Sequence, residues 1–438
     1  MIKKFLNRSA KVCFYLFFAF VPFRVGTFLF TPEVYSSGLF NPYTGYFLHV
    51  SEILLVVGLL FLFAERFASK NQKGKKLSKN LKDFFVKDPV FLLFIVFVFL
   101  SLFSVLFSVD ARNSVFYVIR FVELIVVYKL VSGGFLNFSR LMGIFVGVMF
   151  IQSIISILQY YLQTDLGLRF FGEPVLDSAA KGIASVDLYG DKVIRPYGTF
   201  AHPNILGMYM VFAFWFLICL SSKIRDRLVL VCLGFLFLST LLLSFSRSAW
   251  LAFVLSGIFY MFLRGGKTYV RYIVSFVILF FVVSYALGVG DLLMHRAGIL
   301  FADSAFSERL MFMDISVRML LDNPFGVGIG NFTVVMQDYS AEKLFPWNFQ
   351  PVHNIFLLAF AEVGWIGGLS LIVLLAFVLK KAMEIKKYFL PVVIGVCVLA
   401  GGLFDHYFLS LFQGQVLFVL FLASIAVGNS SKKDFGIR

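Results

Sequence analysis

Long apolar runs alternate with shorter polar segments along this chain. Twelve runs approach the roughly 20 residues that an α-helix needs to cross a bilayer. They lie near residues 12–30, 49–64, 89–108, 114–131, 141–163, 204–221, 228–244, 248–263, 272–290, 354–379, 388–408 and 414–428. The pattern therefore predicts an all-α polytopic membrane protein with about twelve transmembrane helices.

The composition supports this class. Of 438 residues, 60% are hydrophobic and only 14% are charged, whereas soluble globular domains carry about 25% charged residues. No long polar stretch at either end suggests a separate soluble domain. We expect a single integral membrane domain over residues 1–438.

The net charge of +15 could indicate a nucleic-acid-binding protein. Its distribution favours another interpretation, because Lys and Arg concentrate in connections on one side of the predicted membrane. These connections are residues 1–11, 65–88, 222–227, 264–271, 380–387 and the C-terminal tail. Basic connections face the cytoplasm, so we predict that both termini are cytoplasmic. Membrane lipids are expected partners, and nucleic acid is not.

Two connections on the opposite side are long. They cover residues 164–203 and 291–353, the second lying between predicted spans nine and ten. Loops of this length are seldom idle linkers. The second contains "SERLMFMDISVRMLL", whose apolar residues recur at helical spacing. We predict that it carries part of a functional site.

Three arginines lie at the edges of these outer segments. Arg195 occurs in "VIRPYGTFAHPN", Arg247 in the short turn "SFSRSAW", and Arg309 in "FSERLMFM" beside Glu308. A guanidinium at the membrane edge is costly without a partner, and its rigid fork of donors suits phosphate oxygens. Alternatively, each arginine pairs with a nearby acid or reaches lipid phosphate. That alternative is weakest for Arg247, which has no acid near it in sequence.

A histidine stands at the mouth of the predicted tenth span, in "PVHNIFLLAFAEVGWIGG". Histidine is well suited to exchange a proton at neutral pH, so His353 is a candidate base. The alternative is a helix-capping or hydrogen-bonded histidine. Asn354 is a plausible N-cap for the following helix, and His202 precedes the sixth span in the same way.

Other sequence patterns give weaker evidence of function. The glycines of "DNPFGVGIGNF" could form a backbone nest for an anion, although a tight turn is the favoured interpretation. The four cysteines form no CxxC pair, and the outer acids show no DxD or HxxxH spacing. No Walker motif suggests ATP-driven transport. We therefore expect no metal and no cofactor.

Together these stretches resemble the bacterial O-antigen ligase and O-antigen polymerase superfamily. The most specific match is His353, Asn354, nine residues, then Gly364, Gly367 and Gly368 in a GxxGG pattern. "RPYGTFAHPN", "SFSRSAW" and "DNPFGVGIGNF" are also typical of that family. The resemblance is specific over about residues 195–370 and implies a fold of the GT-C type.

The resemblance implies a metal-independent, inverting glycosyltransferase of lipopolysaccharide biosynthesis in the bacterial inner membrane. Such enzymes move a glycan from undecaprenyl diphosphate to a sugar hydroxyl of lipid A–core at the periplasmic face. By resemblance, His353 deprotonates the acceptor hydroxyl, Arg247 and Arg309 bind the diphosphate, and Arg195 assists. Asn354, His202 and Glu308 are candidate supporting residues.

Three alternatives stay open. An O-antigen or exopolysaccharide polymerase would use a second carrier-linked repeat as acceptor, and a third relative glycosylates protein side chains. A polysaccharide transporter would need polar residues through the middles of its spans. Mid-span charges are few here, mainly Arg120 with Glu123 one turn away and possible as its partner.

Overall fold

The computed structural model describes a predominantly helical protein. It covers residues 2–29, 35–36, 39–40, 43–68, 88–177, 182–188, 191–264, 304–385 and 388–430, with residues 278, 282–285, 288 and 290 as short islands. The helices are α1 (Ile2–Phe20), α2 (Val50–Phe67), α3 (Pro89–Ser104), α4 (Ala111–Ser132), α5 (Phe138–Leu162), α6 (Pro203–Leu220), α7 (Arg227–Leu243), α8 (Arg247–Arg264), α9 (Ser304–Asp322), α10 (Phe332–Val335), α11 (Ile355–Glu384), α12 (Leu390–Phe404), α13 (Tyr407–Ser410) and α14 (Phe412–Ser430). Short 3₁₀ turns occupy Val105–Phe107, Arg169–Phe171, Ser221–Lys223 and Pro346–Asn348.

Helices occupy the predicted apolar runs. In the described part of the chain, four helices are long and apolar enough to cross a membrane: Pro89–Phe107, Phe138–Leu162, Pro203–Lys223 and Ile355–Glu384. Four shorter apolar helices are Arg227–Leu243, Arg247–Leu263, Leu390–Phe404 and Phe412–Gly428. The predicted all-α membrane class is confirmed. The count of twelve spans and their orientation remain predictions, and most of the ninth run (272–290) lies outside the described residues.

Two predicted boundaries were wrong. The first helix ends at Phe20 instead of continuing to residue 30, because Pro22 and Gly26 both disfavour a helix interior. The eleventh run was expected to continue to residue 408, but α12 ends at Phe404. The next residue, Asp405, adopts an extended conformation with φ −156° and ψ 164°.

Three antiparallel strand pairs connect helices. Strand β1 (Gly26–Leu29) pairs with β4 (Tyr46–His49), in the register Gly26 to His49. The two-residue strands β2 (Tyr35–Ser36) and β3 (Leu39–Phe40) pair with each other. In the 164–203 connection, β5 (Ser185–Leu188) pairs with β6 (Asp191–Ile194). The strand β6 ends immediately before Arg195, so this hairpin sets the position of that arginine.

The core surrounds α6. Sixteen residues of this helix are buried, on all of its faces, as expected for a helix enclosed by neighbours. It packs against α5, α7, α8 and α12, while α11 packs against α3, α9 and α12. The helices that begin near His202 and His353 are therefore fixed within one packed bundle.

Helix α11 is kinked at Gly364, where φ is +78° and ψ is −175°. The kink frees carbonyl groups of the preceding turn, and the glycine-rich segment 323–331 supplies donors to them. Val327 N donates to Ala361 O, and Gly328 N donates to Glu362 O, each at 3.0 Å. The favoured interpretation of this segment as a tight turn is confirmed: Gly326, Gly328 and Gly330 all have positive φ.

A buried glutamate side chain lies beside these backbone amides. Glu362 is 4% exposed and its Oε1 accepts a hydrogen bond from Phe332 N at 3.1 Å. Its carboxylate joins the 323–331 segment to α11 just before the kink. The glycine-rich stretch therefore serves to hold the kinked helix in place.

The structure also shows the state of the four cysteines and the partner of Arg120. All four cysteines are free. Arg120 pairs with an acid on another helix, since its Nε lies 3.3 Å from Glu52 Oε1 and its NH2 donates to Phe47 O at 2.6 Å. The buried guanidinium thus ties α4 to α2.

Candidate functional site

Two adjoining cavities lie at the ends of α6, α8 and α11. The apolar cavity, of about 450 Å³, is lined by Arg247, Ser248, Leu251, Phe306, Arg309, Leu310, Met313, His353, Asn354, Leu403 and Phe404. The polar cavity, of about 350 Å³, is lined by Ile183, Ala184, Ser185, Arg195, His202, Asn204, Phe245, Arg247, Ser248, Glu308, Arg309, Gln350 and His353. Arg247, Ser248, Arg309 and His353 line both, so they stand where the cavities meet.

The structure brings all seven predicted site residues to these cavities. Arg195, His202 and Glu308 line the polar cavity, and Asn354 lines the apolar one. Arg195 shares the polar cavity with Arg247, which sequence spacing alone left undecided. Residues from four separated stretches of the chain thus surround one space, while the role of each remains a prediction.

Arg247 is the first residue of α8, after a turn of three residues between α7 and α8. Phe245 in that turn has a φ of +47°. Helix α6 can approach the turn because Gly207 has no side chain: a Cβ there would lie 2.9 Å from Ser244 Oγ. The amino terminus of a helix carries a partial positive charge and unpaired N–H groups, so Arg247 lies where an anion is favoured.

Arg309 is presented by α9, the helix predicted within the 291–353 loop. Phe306, Arg309, Leu310 and Met313 recur at helical spacing and line the apolar cavity. Of the acids near Arg309 in sequence, Asp314 pairs with Arg318 at 2.9 Å, and Glu308 accepts a hydrogen bond from Asn348 Nδ2 at 2.9 Å.

Arg195 is deeply buried, with 6% of its surface exposed. Its Nε donates to Ser244 O at 2.8 Å, and its NH2 donates to Asn204 Oδ1 at 2.6 Å. Much of its donor capacity therefore holds the protein together. Arg195 adds positive charge to the polar cavity while fixing the Asn204 side chain.

A carboxylate that the sequence did not single out lies beside the candidate base. His353 Nδ1 is 3.4 Å from Asp405 Oδ1, and Asp405 is 3% exposed. Asn204 Nδ2 donates to Asp405 Oδ2 at 2.7 Å, and His406 N donates to Asp405 Oδ1 at 2.9 Å. A hydrogen-bonded series therefore runs from Arg195 through Asn204 and Asp405 to His353.

The charge state of Asp405 determines the tautomer of His353. Burial by itself would raise the pKa of the Asp405 carboxyl, but the hydrogen bond from His353 lowers it, and the pKa lies below its ordinary value. Asp405 is then ionised and can only accept hydrogen bonds. His353 therefore carries its proton on Nδ1, which leaves Nε2 as the atom able to accept another.

The other candidate polar residues act as helix caps. The Asn354 Oδ1 atom accepts from Phe356 N at 2.9 Å and Leu357 N at 3.0 Å, which confirms the predicted N-cap of α11. His202 Nδ1 accepts from Asn204 N at 3.1 Å and caps α6. Burial, with the charge of Arg195, lowers the pKa of His202 to about 3, so its ring is neutral.

One cluster has the composition of a cation site. Ligand-type atoms of His353, Asp405 and His406 lie within 4.8 Å of one another. These groups are already engaged in hydrogen bonds: Asp405 accepts from several donors, and His406 Nδ1 lies 2.6 Å from Ser410 Oγ. These hydrogen bonds favour a hydrogen-bonded triad over a metal site, and chelation distinguishes the two.

Comparison with known proteins addresses the family directly. Residues 232–372 match a protein-family model described as O-antigen ligase. A comparison with curated proteins finds no match. The matched segment contains Arg247, Ser248, Arg309 and His353, the four residues that line both cavities, whereas Arg195 and Asp405 lie outside it.

Proposed function

We propose, on the premise that residues 232–372 place this chain in the O-antigen ligase superfamily, that it is an O-antigen ligase. It moves a glycan from undecaprenyl diphosphate to a sugar hydroxyl of lipid A–core, at the periplasmic face of the bacterial inner membrane. The observation that carries the proposal is the position of Arg247, Arg309 and His353 at the junction of an apolar and a polar cavity.

The two cavities suit the two halves of a lipid-linked donor. The apolar cavity is lined by residues such as Leu251, Leu310 and Phe404, which favour a hydrocarbon chain. The polar cavity, with Arg195 and Glu308, suits the sugar end. A diphosphate between the two halves would then lie where Arg247 and Arg309 meet.

The arginines would stabilise the leaving group. Their guanidinium groups donate to phosphate oxygens, and the amino terminus of α8 adds a favourable field at Arg247. Negative charge accumulates on the diphosphate as the sugar–oxygen bond breaks, so these contacts strengthen in the transition state. Arg195 supports the same charge from its buried position.

His353 would activate the nucleophile. The Nε2 atom takes the proton of the acceptor hydroxyl while that oxygen bonds to the anomeric carbon. The bond between that carbon and the diphosphate oxygen breaks, and undecaprenyl diphosphate leaves. A single displacement from the opposite side inverts the anomeric configuration. Asp405 holds the imidazole and stabilises its protonated form.

The test uses a strain lacking this protein, complemented with the wild type or with His353→Ala. We expect bare lipid A–core and long glycans retained on the polyprenyl carrier in the deletion and in H353A. Membrane levels of the variant are checked by immunoblot. Single repeats on lipid A–core would instead identify a polymerase. An unchanged lipopolysaccharide pattern in the deletion strain would refute the ligase function and direct attention to protein or another glycan as acceptor.

A further inference from the structure

A third cavity lies on the other side of α9 from the apolar cavity. It measures about 480 Å³ and is bounded by α9 and the segment 340–348. Ser307, Met311, Asp314 and Ile315 of α9 line this third cavity. The residues of α9 that line the apolar cavity start with Phe306, one position before Ser307, and lie on another side of the helix. Helical spacing thus assigns the two sides of α9 to two different spaces.

The wall formed by segment 340–348 is held by specific hydrogen bonds. Gln337 Oε1 accepts from Leu344 N at 2.8 Å, and Asn348 Oδ1 accepts from Phe345 N at 3.2 Å. The Asn348 side chain also donates to Glu308 on α9 at 2.9 Å. A hydrogen bond therefore connects the two walls of the third cavity.

The lining combines the two features that sugars require. Glu342 offers a carboxylate and Lys343 an ammonium group, and Asp314 has a second carboxylate oxygen besides the one paired with Arg318; each can bond a sugar hydroxyl. Phe345, 58% exposed, adds an aromatic face that stacks on Trp347 with ring centroids 4.9 Å apart and an angle of 4°. A rigid aromatic surface beside hydrogen-bonding groups suits the apolar C–H face and polar rim of a pyranose.

The third cavity borders the candidate active site at one residue. Glu308 lines both the polar cavity and the third cavity. A glycan whose reacting sugar lies near His353 could therefore extend past Glu308 and place a more distant sugar against Phe345.

We propose that the third cavity is a saccharide subsite, binding a sugar unit one or more residues away from the reacting centre. The proposal rests on the proposed function for its substrate class, since both the donor glycan and the acceptor core are saccharides. Glu308, Asp314 and Glu342 bind hydroxyl groups, and Phe345 packs against a sugar face.

Direct binding tests this subsite without requiring turnover. The full chain in detergent micelles is titrated calorimetrically with two lipid-free probes from the host lipopolysaccharide: core oligosaccharide, and released O-chain oligosaccharide. We expect Phe345→Ala and Asp314→Asn each to weaken binding of one probe on the order of tenfold. The matched control is Phe170→Ala, an aromatic side chain that is 80% exposed and lies away from the cavity.

The outcomes separate this proposal from the catalytic one. Loss of core binding identifies the acceptor as occupant, and loss of O-chain binding identifies the donor. Equal affinity of F345A, D314N and wild type for both probes, or no binding of either probe by wild type, overturns the subsite. An H353A variant that still transfers glycan would refute the catalytic role and leave the subsite standing, because the binding assay does not depend on turnover.

Discussion

The Nδ1 atom of His353 lies 3.4 Å from the Oδ1 atom of Asp405, although the two residues are separated by 52 positions in sequence. The carboxylate is almost completely buried, and its second oxygen is held by Asn204. This arrangement orients the imidazole and fixes its tautomer. A proposed base at the mouth of α11 is thus supported by residues that begin α6 and follow α12.

Replacing Asp405 by Asn should leave the shape of the site intact but reverse its hydrogen-bonding pattern. An amide could donate to His353 Nδ1, which would move the imidazole proton to Nε2. We expect kcat for glycan transfer to fall by roughly 10²- to 10⁴-fold, with little change in KM for the donor. The control is Asp338→Asn, at an exposed aspartate away from both cavities. A D405N enzyme with wild-type kcat would contradict this role.

Arg247 and Arg309 should respond alike to substitution. Arg→Ala at either position is expected to lower kcat/KM by about 10²- to 10³-fold, because one charge-stabilising contact to the leaving group is lost. Arg→Lys retains the charge without the bidentate fork, so we expect partial activity. Transfer from purified lipid-linked donor gives the measurement. Arg140→Ala, at an exposed site on α5, serves as the control, and alanine variants as active as this control would argue against diphosphate binding.

Chelation distinguishes the hydrogen-bonded triad from a metal site. We expect EDTA treatment followed by gel filtration to leave transfer activity unchanged, because the charges proposed to stabilise the leaving group are arginines. Activity that disappears with chelation and returns with a divalent cation would instead assign the His353, Asp405 and His406 cluster to metal binding.

Gly364→Ala should destabilise the fold. The residue has a φ of +78°, which costs an L-amino acid about 1–3 kcal/mol, and a Cβ there would lie 2.5 Å from the Phe325 carbonyl carbon. We expect a lower Tm in detergent and reduced activity. Gly257→Ala in α8 is the matched control, since its Cβ meets nothing within 4 Å. Equal Tm values would mean that the kink does not need glycine.

The neutral His202 cap predicts a pH dependence of stability. Its pKa is about 3 in the folded protein and near 6.5 when unfolded, so below pH 6.5 the unfolded chain binds more protons. The contribution of His202 to the free energy of unfolding is complete above pH 6.5 and declines as the pH falls toward 3. His202→Asn keeps a capping oxygen without this titration. We expect the Tm loss between pH 7.5 and pH 5 to be smaller in H202N, and an identical loss would contradict the assignment.

Much of this architecture follows from local pattern. Apolar runs located the helices because burial in lipid or in a helical bundle requires long unbroken apolar segments. Arg247 and His353 stood out because a polar group at the end of such a run needs a physical reason. His202 caps α6 and Asn354 caps α11, and the cap at Asn354 was predicted.

Asp405 was missed because it lay inside an apolar run assigned to the eleventh span. The available signal was the adjacent pair Asp405–His406, since buried ionisable groups near a membrane edge are functional candidates by default. Its contact with His353 depends on tertiary packing, which no local pattern encodes. The same applies to Glu362, whose side chain accepts a hydrogen bond from Phe332 N at the end of the glycine-rich segment.

The fixed end of α9 gives this helix the geometry of a lever. Asn323, just beyond its last residue, donates to Met319 O at 3.1 Å and to Tyr339 Oη at 2.7 Å, and the glycine-rich segment then binds α11. Arg309 lies 13 residues before Asp322, roughly 20 Å along the axis. A rotation of about 10° at the anchored end would displace Arg309 by roughly 3 Å. The Asn348–Glu308 hydrogen bond, one residue from Arg309, opposes such a rotation, so the position of this guanidinium relative to Arg247 depends on contacts at both ends of α9.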